Sequence, residues 1–258
     1  MTDTARPEAN VPVLQLQGVG RRFGALQAVR DVTMEIAEGE RRAILGPNGA
    51  GKTTLFNVIA GDFLPTSGDV FFFGTKITDL PAHKRTRMGL ARTYQTSLLF
   101  GGLSVRDNIF LGVRGVKPRR LSLRRPTKND RDHATVERLA ESVGLTSVLD
   151  TGVDSLSHGQ QRQLEIAMAL SSSPRLLLLD EPAAGLSPSE RADLLALLGG
   201  LPRTITVILI EHDMDVALQA ADWVTVMHNG SIFAEGDPDE IQDNQVVLDI
   251  YLGARGHE

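Results

Sequence analysis

An apolar strand, a glycine-rich turn and a helix follow one another without interruption from Arg42 to Ala60, and this run constrains the fold more than any other. Arg42-Ala-Ile-Leu45 has the character of a buried strand. The turn Gly46-Pro47-Asn48-Gly49-Ala50-Gly51-Lys52-Thr53-Thr54 fits G-x-x-x-x-G-K-[ST], the phosphate-binding loop. Gly46, Gly49 and Gly51 let the backbone curl so that its N–H groups point inward at phosphate oxygens. Lys52 to Ala60 reads as a helix, and a helix N-terminus favours an anion. In that frame Lys52 reaches the β- and γ-phosphates of a nucleotide as a point charge, and the Thr53 hydroxyl binds Mg²⁺.

A second run completes the pair. Leu176-Leu-Leu-Leu-Asp180 is continuously apolar and ends in a carboxylate, as a parallel strand buried on both faces does. Its carboxyl end belongs beside the phosphate loop, where open α/β sheets bind ligands. Asp180 is then placed to hold Mg²⁺ through water. Glu181 points elsewhere and is placed to polarise an attacking water.

Between the two lies Leu156-Ser157-His158-Gly159-Gln160, opening a helix expected over His158 to Leu170. The Ser157 hydroxyl and the freedom of backbone approach at Gly159 allow this N-terminus to take an anion. The residues equally fit an ordinary Ser N-cap, with Gln160 or Gln161 completing a capping box. Ser157 beside His158 is no hydrolase dyad, because no G-x-S-x-G elbow or partner acid frames it.

The order of phosphate loop, Gln95, LSHGQ, DEP and His212 resembles the nucleotide-binding subunit of an ABC transporter, from about Val13 to the C-terminus. The resemblance implies an α/β P-loop NTPase core with an antiparallel β-subdomain and an inserted helical subdomain at about 98–154. It implies ATP and Mg²⁺ as ligands, with Ser157, Gly159 and Gln160 touching ATP held by a second ATPase subunit. Phe23 matches the aromatic that stacks on adenine; a core phenylalanine at a strand end is the other reading of that ring. Gln95 matches the residue that contacts Mg²⁺ and the attacking water and moves with the transmembrane partner. His212, after the apolar strand Thr206 to Ile210, matches the switch histidine at the γ-phosphate. Two positions depart from the family pattern. The signature is normally LSGGQ and here has His158, and Ser187 stands where the D-loop usually carries Asp. Both departures resemble the branch that drives branched-chain amino acid uptake, as do Gly159 to Ala167, Glu181 to Pro188, Ile210 to Met214 and Ile241 to Gly253.

Composition bounds the setting. The chain has 258 residues, enough for a full core, and its apolar runs fall short of the roughly 20 residues needed to cross a bilayer. It contains no cysteine, which excludes disulfides and thiolate metal sites and fits a cytosolic location. A net charge of −5 gives no support to nucleic-acid binding. The polar start MTDTARPEANVP is no signal peptide and reads as a disordered leader over residues 1–12.

Alternating residues in Val13 to Ala37 and again in Asp69 to Phe73 indicate antiparallel strands. Helices are expected at Val105–Leu111 and Asp132–Val143. Beyond them, Arg175–Leu179, Ser189–Leu198, Ile205–Ile210, Met214–Ala220 and Trp223–Met227 alternate strand and helix, the mark of a mostly parallel sheet. Arg114, Lys117, Arg119, Arg120, Arg124, Arg125, Lys128 and Arg131 form a basic cluster. It reads either as a solvated loop or as a surface drawn to anionic lipid heads.

Together with the resemblance, these features imply the ATP-hydrolysing subunit of a branched-chain amino acid importer on the cytoplasmic face of the membrane. Its partners would be transmembrane permease subunits, a second ABC ATPase and, indirectly, an extracytoplasmic solute-binding protein. Importers of urea, amides or other amino acids are an alternative reading, and so is a soluble ABC ATPase for cofactor assembly.

Overall fold

The structure, a computed structural model, describes residues 11–94, 99–115 and 131–254. Gln95 to Leu98, most of the basic cluster and the leader up to Asn10 lie outside the described residues. Strands β1 (Leu14–Phe23), β2 (Leu26–Ile36), β4 (Ser67–Phe72) and β5 (Thr75–Lys76) form an antiparallel sheet in the order β2-β1-β4-β5. A second sheet takes β3 (Arg41–Leu45), β6 (Leu90–Arg92), β7 (Leu176–Asp180), β8 (Thr206–Ile210), β9 (Trp223–His228) and β10 (Ser231–Gly236), ordered β10-β9-β3-β8-β7-β6. Five of its strands run parallel, and β10 pairs antiparallel with β9 at one edge.

The pleat of the larger sheet divides the interior in two. Successive strand residues point to opposite faces. Ile44, Leu176, Leu178, Ile208 and Ile210 therefore join Leu14, Leu16 and Ile36 of the antiparallel sheet in one core. That core also takes Leu55, Phe56, Val58 and Ile59 of helix α1 (Lys52–Ala60). Ala43, Leu45, Leu177, Leu179, Val207 and Leu209 face the other way, into a core built with the later helices. These include α3 (Val105–Gly115), α4 (Arg131–Ser142), α5 (His158–Leu170), α6 (Pro188–Gly200) and α7 (Met214–Ala220). Helix α3 packs on both α4 and α5.

Helix α2 (Ala82–Arg87) contributes Arg85, which is fully buried. Its guanidinium donates to the carbonyls of Val58, Ile59, Leu80 and Thr78 at 2.7–2.9 Å, tying down the C-terminal turn of α1. A cation at a helix C-terminus complements the dipole there. The chain closes with α8 (Pro238–Gln242) and α9 (Gln245–Ala254).

Most expected elements stand where the sequence places them, α1, α5 and α7 to the residue. The short helix α2, strands β5, β6 and β10 and the closing helices α8 and α9 are additions.

Candidate functional site

The phosphate loop is shaped by close backbone approach. Gly46 has φ 150°, and a Cβ there would stand 2.3 Å from the Met227 carbonyl oxygen. Gly51 has φ 99°, and its Cβ would meet the Ala28 carbonyl at 2.3 Å. Neither position tolerates a side chain without moving backbone. The loop walls a cavity of about 330 Å³ lined by Asn48, Gly49, Ala50, Gly51, Lys52, Thr53 and Thr54, with Gln27, Ala28 and Glu181 opposite.

Lys52 begins α1 and is buried. Its ammonium donates to the carbonyls of Gly46 at 2.6 Å and Pro47 at 3.1 Å, which curls the loop around it. Burial lowers its pKa, and the carboxylates of Glu181, Asp180 and Glu211 oppose that shift. The loop's one cation thus faces three carboxylates from two neighbouring strand ends, β7 and β8.

Asp180 ends β7 and is almost wholly buried. Its Oδ2 accepts from Arg92 Nη2 at 3.4 Å, and its Oδ1 is buried with no partner. Burial raises its pKa, with Arg92 pulling the other way. Arg92, at the end of β6, also donates to Asn57 Oδ1 at 2.7 Å and Asp62 Oδ2 at 2.5 Å. A buried, half-unsatisfied carboxylate is costly unless something polar arrives. The orphaned Oδ1 fits a hard cation that keeps part of its water shell.

Glu181 follows with φ 47°, a left-handed conformation that non-glycine residues seldom adopt. Its N–H donates to the Ile210 carbonyl at 3.0 Å, and its own carbonyl accepts from Ala184 N–H at 3.1 Å. The kink is therefore enforced from both sides, and its carboxylate lines the phosphate cavity rather than continuing the strand. Strain held in this way at a cleft is a mark of functional geometry.

Glu211, which the sequence reading passed over, is fully buried next to the end of β8. Its Oε1 accepts from Ala183 N–H at 3.0 Å, while Oε2 has no hydrogen bond and lies 3.9 Å from His212 Nδ1. The signal available in the sequence was a carboxylate directly after the apolar run Val207 to Ile210. Burial is the main cause that raises its pKa above the ordinary value of 4.5. Between those two values the native state binds the extra proton, so stability falls as pH rises through the window. Glu211→Gln is expected to raise the melting temperature more at about pH 8 than at about pH 4.5. Equal shifts at both pH values would contradict a carboxylate buried at a cost.

His212 itself is exposed, with 56% of its side-chain surface open to solvent. Phe23 sits at the β1–β2 turn opposite Leu26, is 40% exposed, and meets Phe63 edge-on at 5.5 Å. Arg21 lies over the ring at 4.5 Å, leaving it a half-open aromatic rather than a core one. Gln95 lies outside the described residues.

Ser157 caps α5 in a complete capping box with Gln160, so Gln160 Oε1 is taken by the Ser157 N–H at 3.1 Å. Of the two glutamines weighed for the box, Gln160 supplies it. The Ser157 hydroxyl and the Gly159 N–H both point at Glu190 Oε1, each at 2.9 Å. The structure thus gathers Lys52, Thr53, Asp180 and Glu181 at one end of the parallel sheet and sets the α5 N-terminus apart, against α6.

A glycine-rich loop on a helix, with a carboxylate pair at the end of the next-but-one strand, defines a P-loop nucleotide-binding protein. The ABC transporter family matches residues 29–184, and the branched-chain amino acid ATP-binding cassette transporter family matches residues 231–257. The chain belongs to the ABC transporter ATP-binding proteins, an ATPase family, in the branch of the branched-chain amino acid transport ATP-binding proteins. It is 39% identical to the high-affinity branched-chain amino acid transport ATP-binding protein BraF of Pseudomonas aeruginosa, over 94% of this chain and 98% of that one. It is 36% identical to the corresponding protein LivG of Escherichia coli, with the same coverage. The ADP conformation of MJ1267, an ATP-binding cassette of an ABC transporter, superposes with a TM-score of 0.83 at 30% identity, covering 95% and 100% of the two chains.

Proposed function

We propose that this chain hydrolyses ATP as one half of a nucleotide sandwich and so powers an importer of branched-chain amino acids. The observation that carries the chemistry is the meeting of Lys52 and Glu181 at one cavity of about 330 Å³, with the buried Asp180 close enough to act on the same lysine. The relatives' names support the solute class.

In this reading the loop N–H groups and Lys52 hold the β- and γ-phosphates. Thr53 and Asp180, with Gln95, would hold Mg²⁺, which neutralises charge on the phosphate oxygens when bound. Glu181 accepts the hydrogen bond of the attacking water and draws off its proton, and His212 contacts the γ-phosphate. Phe23 offers a ring for adenine. Ser157 and Gly159 complete the site for ATP carried by a second ATPase subunit. ATP then makes its full set of contacts only in the closed pair and shifts the population toward closure.

No helix among the described residues is long and apolar enough to cross a membrane. Membrane attachment therefore falls to permease partners at the cytoplasmic face, with a solute receptor acting on the far side. The helical segment at about 98–154 is the docking lobe of this reading, within a domain running from 13 to 258. A groove of about 300 Å³ lined by Ala91, Tyr94, Leu99, Gly112, Met168 and Ala169 suits a partner's cytoplasmic helix.

The test is uptake of labelled leucine, isoleucine and valine in cells with and without this subunit. Loss of all three is expected. Unchanged uptake of the three beside lost uptake of another solute would refute the substrate class and leave the importer standing.

A further inference from the structure

The donors that the sandwich model reserves for a partner's ATP are already engaged. Glu190, in the first turn of α6, spans two helix N-termini with one carboxylate. Its Oε1 accepts from the Ser157 hydroxyl and the Gly159 N–H of α5, both at 2.9 Å. Its Oε2 accepts from the Ser187 N–H at 3.0 Å and the Ser187 hydroxyl at 2.8 Å. Each oxygen thus serves one helix. The approach is close enough that a Cβ on Gly159 would stand 2.8 Å from Glu190 Cγ, so the glycine is needed for this contact too.

We infer that Glu190 is an internal anion that keeps the place of the trans phosphate and must give up its α5 contacts before ATP on a second subunit can engage. The inference rests on the sandwich reading. An oxygen bearing negative charge occupies the place between the same two donors that a γ-phosphate oxygen would need. Both anions cannot hold them at once, and like charges at this range repel. The four donors hold the Glu190 carboxyl well down, at about 2, so it is ionised throughout the physiological range. The exchange is possible without unfolding α6, because Oε2 keeps its own pair of donors at Ser187 when Oε1 is displaced. Charge-assisted bonds are roughly twice as strong as neutral ones, so the carboxylate is a firm occupant and an amide a weak one. A site whose donors are free only part of the time binds its ligand with an affinity reduced by that fraction.

Glu190→Gln separates this role from simple capping. Glutamine completes the Ser187 capping box as glutamate does, so α6 keeps its cap while the competing charge is gone. The experiment measures the ATP concentration giving half-maximal hydrolysis in the purified transporter complex, for the wild type, Glu190→Gln, Glu190→Ala and Ser157→Ala. Thermal melting of each subunit reports folding. Glu190→Gln is expected to lower half-saturation about fivefold or more, and Ser157→Ala to raise it. Glu190→Ala loses the carboxylate half of the Ser187 capping box but also frees the donors. Where Glu190→Gln fails to fold, it is the variant expected to lower half-saturation. An unchanged or raised half-saturation in the folded Glu190 variants, with Ser157→Ala still impaired, overturns the inference and leaves the sandwich intact. No effect of any of the three overturns both.

Discussion

Glu181→Gln is expected to leave ATP binding intact while cutting turnover by about 10²- to 10⁴-fold, the range general-base assistance supplies. The substitution is nearly isosteric, so the left-handed turn at φ 47° and the N–H bond to the Ile210 carbonyl at 3.0 Å both survive it. Only the basicity of the group lining the phosphate cavity is lost. Binding does not depend on that basicity in the proposed reading, where the loop N–H groups and Lys52 make the phosphate contacts. Removing a carboxylate from the three that surround the loop lysine even eases the approach of a polyanion. The measurement is steady-state phosphate release set beside equilibrium nucleotide binding for the same variant. Hydrolysis within about threefold of the wild type would remove Glu181 from the role of base and direct attention to another group at the strand ends. A long-lived ATP-bound pair on a sizing column is the companion expectation, because closure then has no route to release.

The sequence carried those parts of the site that are local. Lys52, Thr53 and the three loop glycines lie in one run, and Asp180 and Glu181 lie at the end of another, so the two runs together nominate them. What it did not carry is contact between runs. Glu190 reaches Ser157 and Gly159 across 33 and 31 residues, and Ala183 reaches Glu211 across 28. The S-x-x-E pattern from Ser187 to Glu190 announces a helix cap but says nothing about a second helix sharing the carboxylate. Arg92 is similar: only folding brings the third residue of β6 between Asp62, Asn57 and Asp180.

The fold divides the same way. Strands β7 and β8, each with four consecutive apolar residues and buried along their length, were legible as central strands. Strand β6 has three residues, too few to show a period, and exists because β7 offers it a parallel edge. Strand β10 mixes exposed and buried residues irregularly, with a register shift between Ile232 and Ala234, so no clean alternation marks it. The Ser157 N-cap and the anion site at the same helix start were indistinguishable in sequence. In the structure they coincide: one hydroxyl accepts from Gln160 N–H at 3.2 Å and donates to Glu190.

Lys52→Ala is expected to act on the other half of the reaction, weakening the binding of ATP and ADP alike. Hydrogen bonds to a charged partner contribute about 1.5–3 kcal/mol, which at 1.4 kcal/mol per tenfold is about 10- to 150-fold in affinity. The ammonium also has a structural part, since it donates to the carbonyls of Gly46 and Pro47 and closes the loop on itself. The alanine variant therefore loses both the charge aimed at the phosphates and the curl that aims the loop N–H groups. It also leaves Asp180, Glu181 and Glu211 without the cation that their carboxylates face, so the cavity turns net negative toward an incoming polyphosphate. Calorimetric titration of the folded variant with ATP and with ADP checks the expectation, and melting of the free subunit separates lost binding from lost fold. Affinity for both nucleotides within about threefold of the wild type would mean that the loop backbone alone holds the phosphates. Paired with Glu181→Gln, the result sorts the site by step: one variant binds and does not turn over, and the other fails already at binding.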